Sequence, residues 1–120
     1  MRNVNATHVD FGFLRGMIPT NPHFMPSNID MIVERKGKFL FGEWKRDGED
    51  MKTGQKILLK ALAKQHHVLV ITGYVDTKPN ISLVQLLDNR GMLIKLGTDE
   101  STLVKFLQDW YNAVEQGMDI

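Results

Sequence analysis

Residues His67–Tyr74 read HVLVITGY, an apolar run with no regular polar alternation. A strand with one wet face alternates, whereas an unbroken run belongs to a strand covered on both faces. Such a strand needs a sheet around it and helices on either side. The rest of the chain supplies both, and its 120 residues allow one domain, 1–120, with a single core.

IDMIVER and KFLFGEWK are rich in branched and aromatic residues and are separated by Lys36-Gly37, a tight hairpin turn. A polar loop, RDGEDMKTG, leads into QKILLKALAKQ, where Ile57, Leu58, Ala61 and Leu62 fall at helical spacing. After the buried run, ISLVQLLD and GMLIKLG form a second strand pair around Asn89-Arg90-Gly91. Thr98 is the expected N-cap of a last helix, with Asp99 and Glu100 in its first turn, where acids suit the helix dipole. That helix is expected to run to about Glu115 and to end near Gly117. Residues 1–28 are irregular and hold three of the four prolines, with a short helix expected around 6–15. The expected fold is α/β, a central mixed β-sheet of about five strands flanked by helices, in the order (α)ββαβββα.

The hairpin register carries the chemistry. If Lys36-Gly37 is a two-residue turn, Arg35 pairs with Lys38, and counting back sets Asp30 opposite Glu43. Opposed residues share a face with Cβ atoms roughly 4.5–5.5 Å apart. Lys45, two residues beyond Glu43, points to that face as well. Two facing carboxylates repel unless a cation lies between them, and Mg²⁺ takes oxygen ligands from only one or two protein carboxylates. A metal on Asp30 and Glu43 can polarise a phosphate and acidify a water. The Lys45 ammonium can orient that water, help deprotonate it, or neutralise developing charge. The competing reading is an exposed hairpin whose Asp, Glu and Lys form ordinary surface pairs.

PSNID, a strand, a turn and then GEWK together resemble the PD-(D/E)XK nuclease superfamily. Pro26 and Asp30 match a spread-out PD element, and Glu43-Trp44-Lys45 matches the ExK element. Gly54-Gln55 opens the next helix, as in small phage-borne and VRR-Nuc-like members. The resemblance covers residues 26–75. It implies a restriction-endonuclease-like fold, dependence on Mg²⁺ or Mn²⁺, DNA cleavage and a homodimer. With it, Asp30, Glu43, Lys45 and Gln55 are the expected catalytic residues, and Asp30, Glu43 and the Trp44 carbonyl the expected metal ligands. One feature departs from the family: many members carry an early Glu on an N-terminal helix, and residues 1–33 contain none. Asp10 or His8 is the available substitute.

The implied function is Mg²⁺-dependent endonucleolytic hydrolysis of DNA, selective for a structure such as a junction, flap or end. The alternative is a non-catalytic DNA-binding or assembly module on the same fold, and an RNA substrate is a third option. Lys52, Lys56, Lys60 and Lys64 recur every four residues. Lys52 and Lys56 are the expected DNA contacts, against the reading that the whole stripe is a solvated face. Gln55 stands at the rim of an apolar helix face and needs a partner. Holding the water or Lys45 would supply one, as would capping the helix. Asp47, Glu49 and Asp50 are read as a solvated loop, the four histidines as non-ligands, and Trp44 as core.

Net charge is +1, so any nucleic-acid site depends on local placement of charge. Without cysteine there is neither a disulfide framework nor a thiolate metal site. No phosphate loop, dinucleotide fingerprint or serine elbow is present, so no nucleotide cofactor is expected. No apolar run approaches the length of a membrane span. The expected setting is the cytoplasm of a bacterial or phage-infected cell.

Overall fold

The computed structural model describes residues 11–74 and 80–118, except for the side chain of Tyr74. After a 3₁₀ turn at Phe11–Leu14 come strands β1 (Met31–Arg35) and β2 (Lys38–Lys45), and helix α1 (Thr53–Ala63). Strands β3 (His67–Tyr74), β4 (Asn80–Leu87) and β5 (Leu93–Gly97) follow, and helix α2 (Glu100–Glu115) closes the chain. The five strands lie in the order β1-β2-β3-β4-β5. β2 and β3 run parallel, joined by the α1 crossover, and every other neighbouring pair is antiparallel. The sheet is therefore mixed, as the sequence pattern predicts.

Lys36 and Gly37 both adopt positive φ, 51° and 79°. That is the backbone a two-residue type I′ hairpin requires, and it locks Arg35 against Lys38 and Met31 against Gly42. The register is thus the one obtained by counting back from the turn. Met31 and Val33 pack on the α2 side, so the alternate residues of β1 point to the α1 side.

β3 is buried from Val68 to Gly73, with Val68, Leu69, Val70 and Ile71 all at 0% exposure. Its two faces feed two cores. Leu40, Leu69, Ile71, Ile81 and Val84 pack against Leu103, Trp110 and Val114 of α2. Val68, Val70 and Leu87 pack against Leu59 and Ala63 of α1. Each fully buried aliphatic side chain contributes about 1.5–3 kcal/mol, so the helices are held chiefly by these stripes.

Two local expectations are corrected. The buried stripe of α1 is Leu59 and Ala63, supported by Leu62, while Ile57 is 66% exposed and Ala61 also faces outward. Apolar residues occupy six of the seven positions from 57 to 63, so periodicity alone cannot choose the face. The N-cap of α2 is Asp99, not Thr98: its Oδ1 accepts from the Thr102 amide at 3.0 Å. Ser101 and Thr102 also donate their hydroxyls to Asp99, each at 2.8 Å, and thereby fix the carboxylate as the cap. Of the helix expected at 6–15, only the 3₁₀ turn at Phe11–Leu14 falls within the described residues. The end of α2 agrees with expectation, with Gln116 as C-cap and Gly117 at φ 69°.

Candidate active site

The carboxyl ends of the parallel pair β2 and β3 meet the first turn of α1, the kind of position where open α/β sheets hold ligands. Continuing the hairpin register one step past Met31–Gly42 brings Asp30 against Glu43. Since Met31 faces α2, alternation turns Asp30 and Glu43 toward α1. Asp30 lies just beyond the start of β1 and accepts the Trp44 amide on Oδ2 at 2.8 Å. In an antiparallel ladder one residue's N–H and C=O face the same neighbour. The Trp44 carbonyl therefore opens toward the Asp30 side of β2.

Glu43 is 5% exposed, one of two buried polar side chains among the described residues. Burying a carboxylate is costly unless hydrogen bonds replace its water. Gln55 supplies one, donating from Nε2 to Glu43 Oε1 at 2.6 Å. The partner of Gln55 is thus Glu43, neither Lys45 nor the helix end. The position before α1 is Lys52, which makes no side-chain capping bond.

Lys45 shares the face of Glu43, but its ammonium donates to the Glu49 carbonyl at 3.0 Å. The 46–50 loop is also tied to β4 through the Ser82 hydroxyl, which donates to Asp47 at 2.7 Å. Lys52, Lys56, Lys60 and Lys64 are all exposed. Trp44 packs against the α2 core as expected. His66 stands edge-on to the Phe39 and Phe41 rings at 5.7 and 5.5 Å. His67 lies against Phe106 at 6.2 Å.

The second buried polar side chain, Thr72, escaped the sequence reading. It is the register partner of Lys45 on β3 and follows Val68 and Val70 on the α1 face. The one signal it leaves is a hydroxyl inside an otherwise apolar strand. Directly after it the pairing of β3 with β4 shifts register, and Gly73 lets the Asn80 carbonyl come within 2.1 Å of where a Cβ would stand. A bulge of this kind shifts the pairing, which resumes at Gly73–Ile81 and Tyr74–Asn80, and is common beside functional sites.

Among the described residues, no group of three or more His, Cys, Asp and Glu side chains is arranged to hold a metal. Asp30, Glu43 and the Trp44 carbonyl make a smaller set of hard oxygen donors. That set suits Mg²⁺ or Mn²⁺, which complete their shell with water and substrate phosphate. Comparisons with protein-family models, with curated proteins and with solved structures returned no match. No helix among the described residues is long and apolar enough to cross a membrane.

Proposed function

We propose that this protein is a Mg²⁺- or Mn²⁺-dependent DNA endonuclease, a phosphodiesterase of the PD-(D/E)XK kind, acting in recombination, repair or phage replication. One observation carries the reading. The register turns Asp30 and Glu43 toward the face that also bears Lys45, and Gln55 donates to the buried Glu43 carboxylate. Asp30, Glu43 and the Trp44 carbonyl are the groups that would hold the ion, which when bound would polarise the scissile phosphate and acidify a water.

The chain's own residues do the positioning. Gln55 fixes the rotamer of Glu43, so the carboxylate is set before substrate arrives. Lys45, released from Glu49, brings a cation to the charge that develops on the phosphoryl oxygens. Lys52 and Lys56, exposed around the first turn of α1, neutralise flanking phosphates. Among the described residues all helices and strands belong to the one sheet and its flanking helices, with no separate unit to read a base sequence, which favours a DNA shape such as a junction, flap or end. The edge strand β5 leaves Leu93 43% and Ile94 46% exposed, a surface suited to a second copy in a homodimer. The corresponding setting is the cytoplasm of a bacterial or phage-infected cell.

The Lys45–Glu49 bond also supports a second reading, a non-catalytic DNA-binding or assembly module, because it holds the ammonium on a loop carbonyl. Branched and linear DNA incubated with Mg²⁺ or Mn²⁺ separates the two. The wild type is expected to cut and Lys45→Ala to lose about 10²–10⁴-fold in rate. Binding without cleavage in either metal excludes the enzyme, and a parallel RNA substrate tests the choice of nucleic acid.

A further inference from the structure

The Thr72 hydroxyl is buried and has no hydrogen-bond partner among the described residues. An unmet hydroxyl in a protein interior costs about 1–3 kcal/mol. Valine has nearly the same shape and would fill this strand position without that cost, so it is the oxygen that calls for an explanation. Fold packing does not provide one, and the surroundings do. Thr72 is the parallel-register neighbour of Lys45, on a strand spaced about 4.7–4.9 Å away. Both side chains lie on the α1 face that carries Glu43 and Gln55.

Lys45 is half-buried, and its ammonium rests on a backbone carbonyl of the adjoining loop. That loop is anchored at Ser82, beside the bulge that follows Thr72. The Lys45 side chain therefore springs from a backbone position one strand spacing from that of Thr72, whose oxygen can accept its ammonium.

We propose that Thr72 is a positioning residue of this site, its hydroxyl accepting the Lys45 ammonium when Lys45 leaves the Glu49 carbonyl. Lys45 then has two seats: the loop carbonyl in the free protein and the Thr72 oxygen when a phosphodiester is bound. The second seat holds the cation on the face of Glu43, where the phosphoryl group would lie. This inference rests on the nuclease reading for its substrate, and the Lys45–Thr72 contact can be observed without turnover.

The test uses the full chain with Thr72→Val and Thr72→Ser. Thr72→Val should melt no lower than wild type, since it removes an unmet hydroxyl. Its kcat on DNA in Mg²⁺ should fall about 10–100-fold, as for lost supporting contacts around metal sites, with KM changed less than about twofold. Thr72→Ser should restore kcat. In ¹⁵N NMR with Ca²⁺ and a DNA oligonucleotide, proton exchange at the Lys45 ammonium should be slow in wild type and Thr72→Ser, and fast in Thr72→Val. A Thr72→Val protein with wild-type kcat and wild-type exchange overturns the inference, as does one that melts lower, which would reveal a partner in the free fold. Thr72→Ala against Thr72→Ser repeats the kcat and exchange comparison with a smaller side chain, and equal values in the two likewise overturn the inference. A wild type that cuts no DNA removes the nuclease reading, and the exchange measurement then decides Thr72 alone. Equal exchange with and without the hydroxyl, or no DNA binding at all, ends the proposal.

Discussion

Beneath α2 the sheet is filled by Leu40, Leu69, Ile71, Ile81 and Val84, all apolar. Beneath α1, Val68 and Val70 give way at the carboxyl ends of β2 and β3 to Glu43 and Thr72, the buried polar side chains among the described residues. The same strands serve both layers, so the difference does not come from the backbone. A sheet this size can bury apolar residues on both sides, and the α2 face shows it doing so. On the α1 face the chain instead bears the cost of a carboxylate and a hydroxyl. On the proposed reading, these residues are kept on that face for chemistry and not for stability.

The largest expected effect breaks the apolar side of this contrast. Trp110 is 2% exposed in the α2 core, and Trp110→Ala should cost about 3–5 kcal/mol of a total near 5–15. Denaturant unfolding should show a midpoint shifted far down. Leu59→Ala, the matching change under α1, should cost somewhat less, at about 2–5 kcal/mol. The reverse order would mean that the α1 layer is the principal core.

A smaller effect, of opposite character, is expected at the polar end. Glu43→Gln keeps the volume and an oxygen for Gln55, while removing a buried charge. Stability should stay within about 1 kcal/mol of wild type or rise, because a neutral amide costs less to bury than a carboxylate. On the proposed nuclease reading DNA cleavage should fall at least about 100-fold, since the substitution would remove a metal ligand. Loss of stability together with retained cleavage would assign Glu43 to the fold and not to the site.

The sequence makes the register readable because a two-residue turn leaves no freedom in counting, so Asp30, Glu43 and Lys45 could be set on one face from residues alone. The buried run of β3 is equally readable, for no half-wet strand has that composition. Other features depend on forces that are not local. Which face of α1 is buried is decided by the sheet, because apolar residues surround much of that helix. The bond between Gln55 and Glu43 needs the crossover that brings residues 12 apart into contact. The seat of Lys45 depends on the shape of the 46–50 loop, which has no periodicity to read. Thr72 is hidden because one hydroxyl among valines and isoleucines looks like an ordinary strand residue until its burial is known.

The smallest expected effect concerns acid, and it should fall on the α2 layer first. Burial holds the His67 imidazole below its ordinary pKa, and its neighbour His66 adds to the shift. The hydrogen bond from Arg35, followed by that from Lys36, holds the Glu115 carboxyl below the usual carboxylate range. Hydrogen bonds from Ser101 and then Thr102 do the same for Asp99. All three groups belong to α2 or touch it, since His67 lies against Phe106 and Glu115 pairs with Arg35 at the hairpin turn. Each folded pKa is lower than its unfolded value, so the unfolded chain binds protons first and stability falls as pH falls. The His67 contribution is complete above about pH 6.5 and declines below it. The carboxylate contributions are complete above about pH 4.5 and are lost as acid protonates Glu115 and Asp99 in the fold. Melting temperature should therefore drop in two stages between pH 8 and 3, on the order of a few degrees in the first. His67→Gln should remove the first stage alone. Hydrogen exchange near the middle of that range should open α2 amides before those of α1. If α1 opened first, the acid-sensitive layer would be the one that carries the candidate site, and cleavage and stability would then fall together as pH falls.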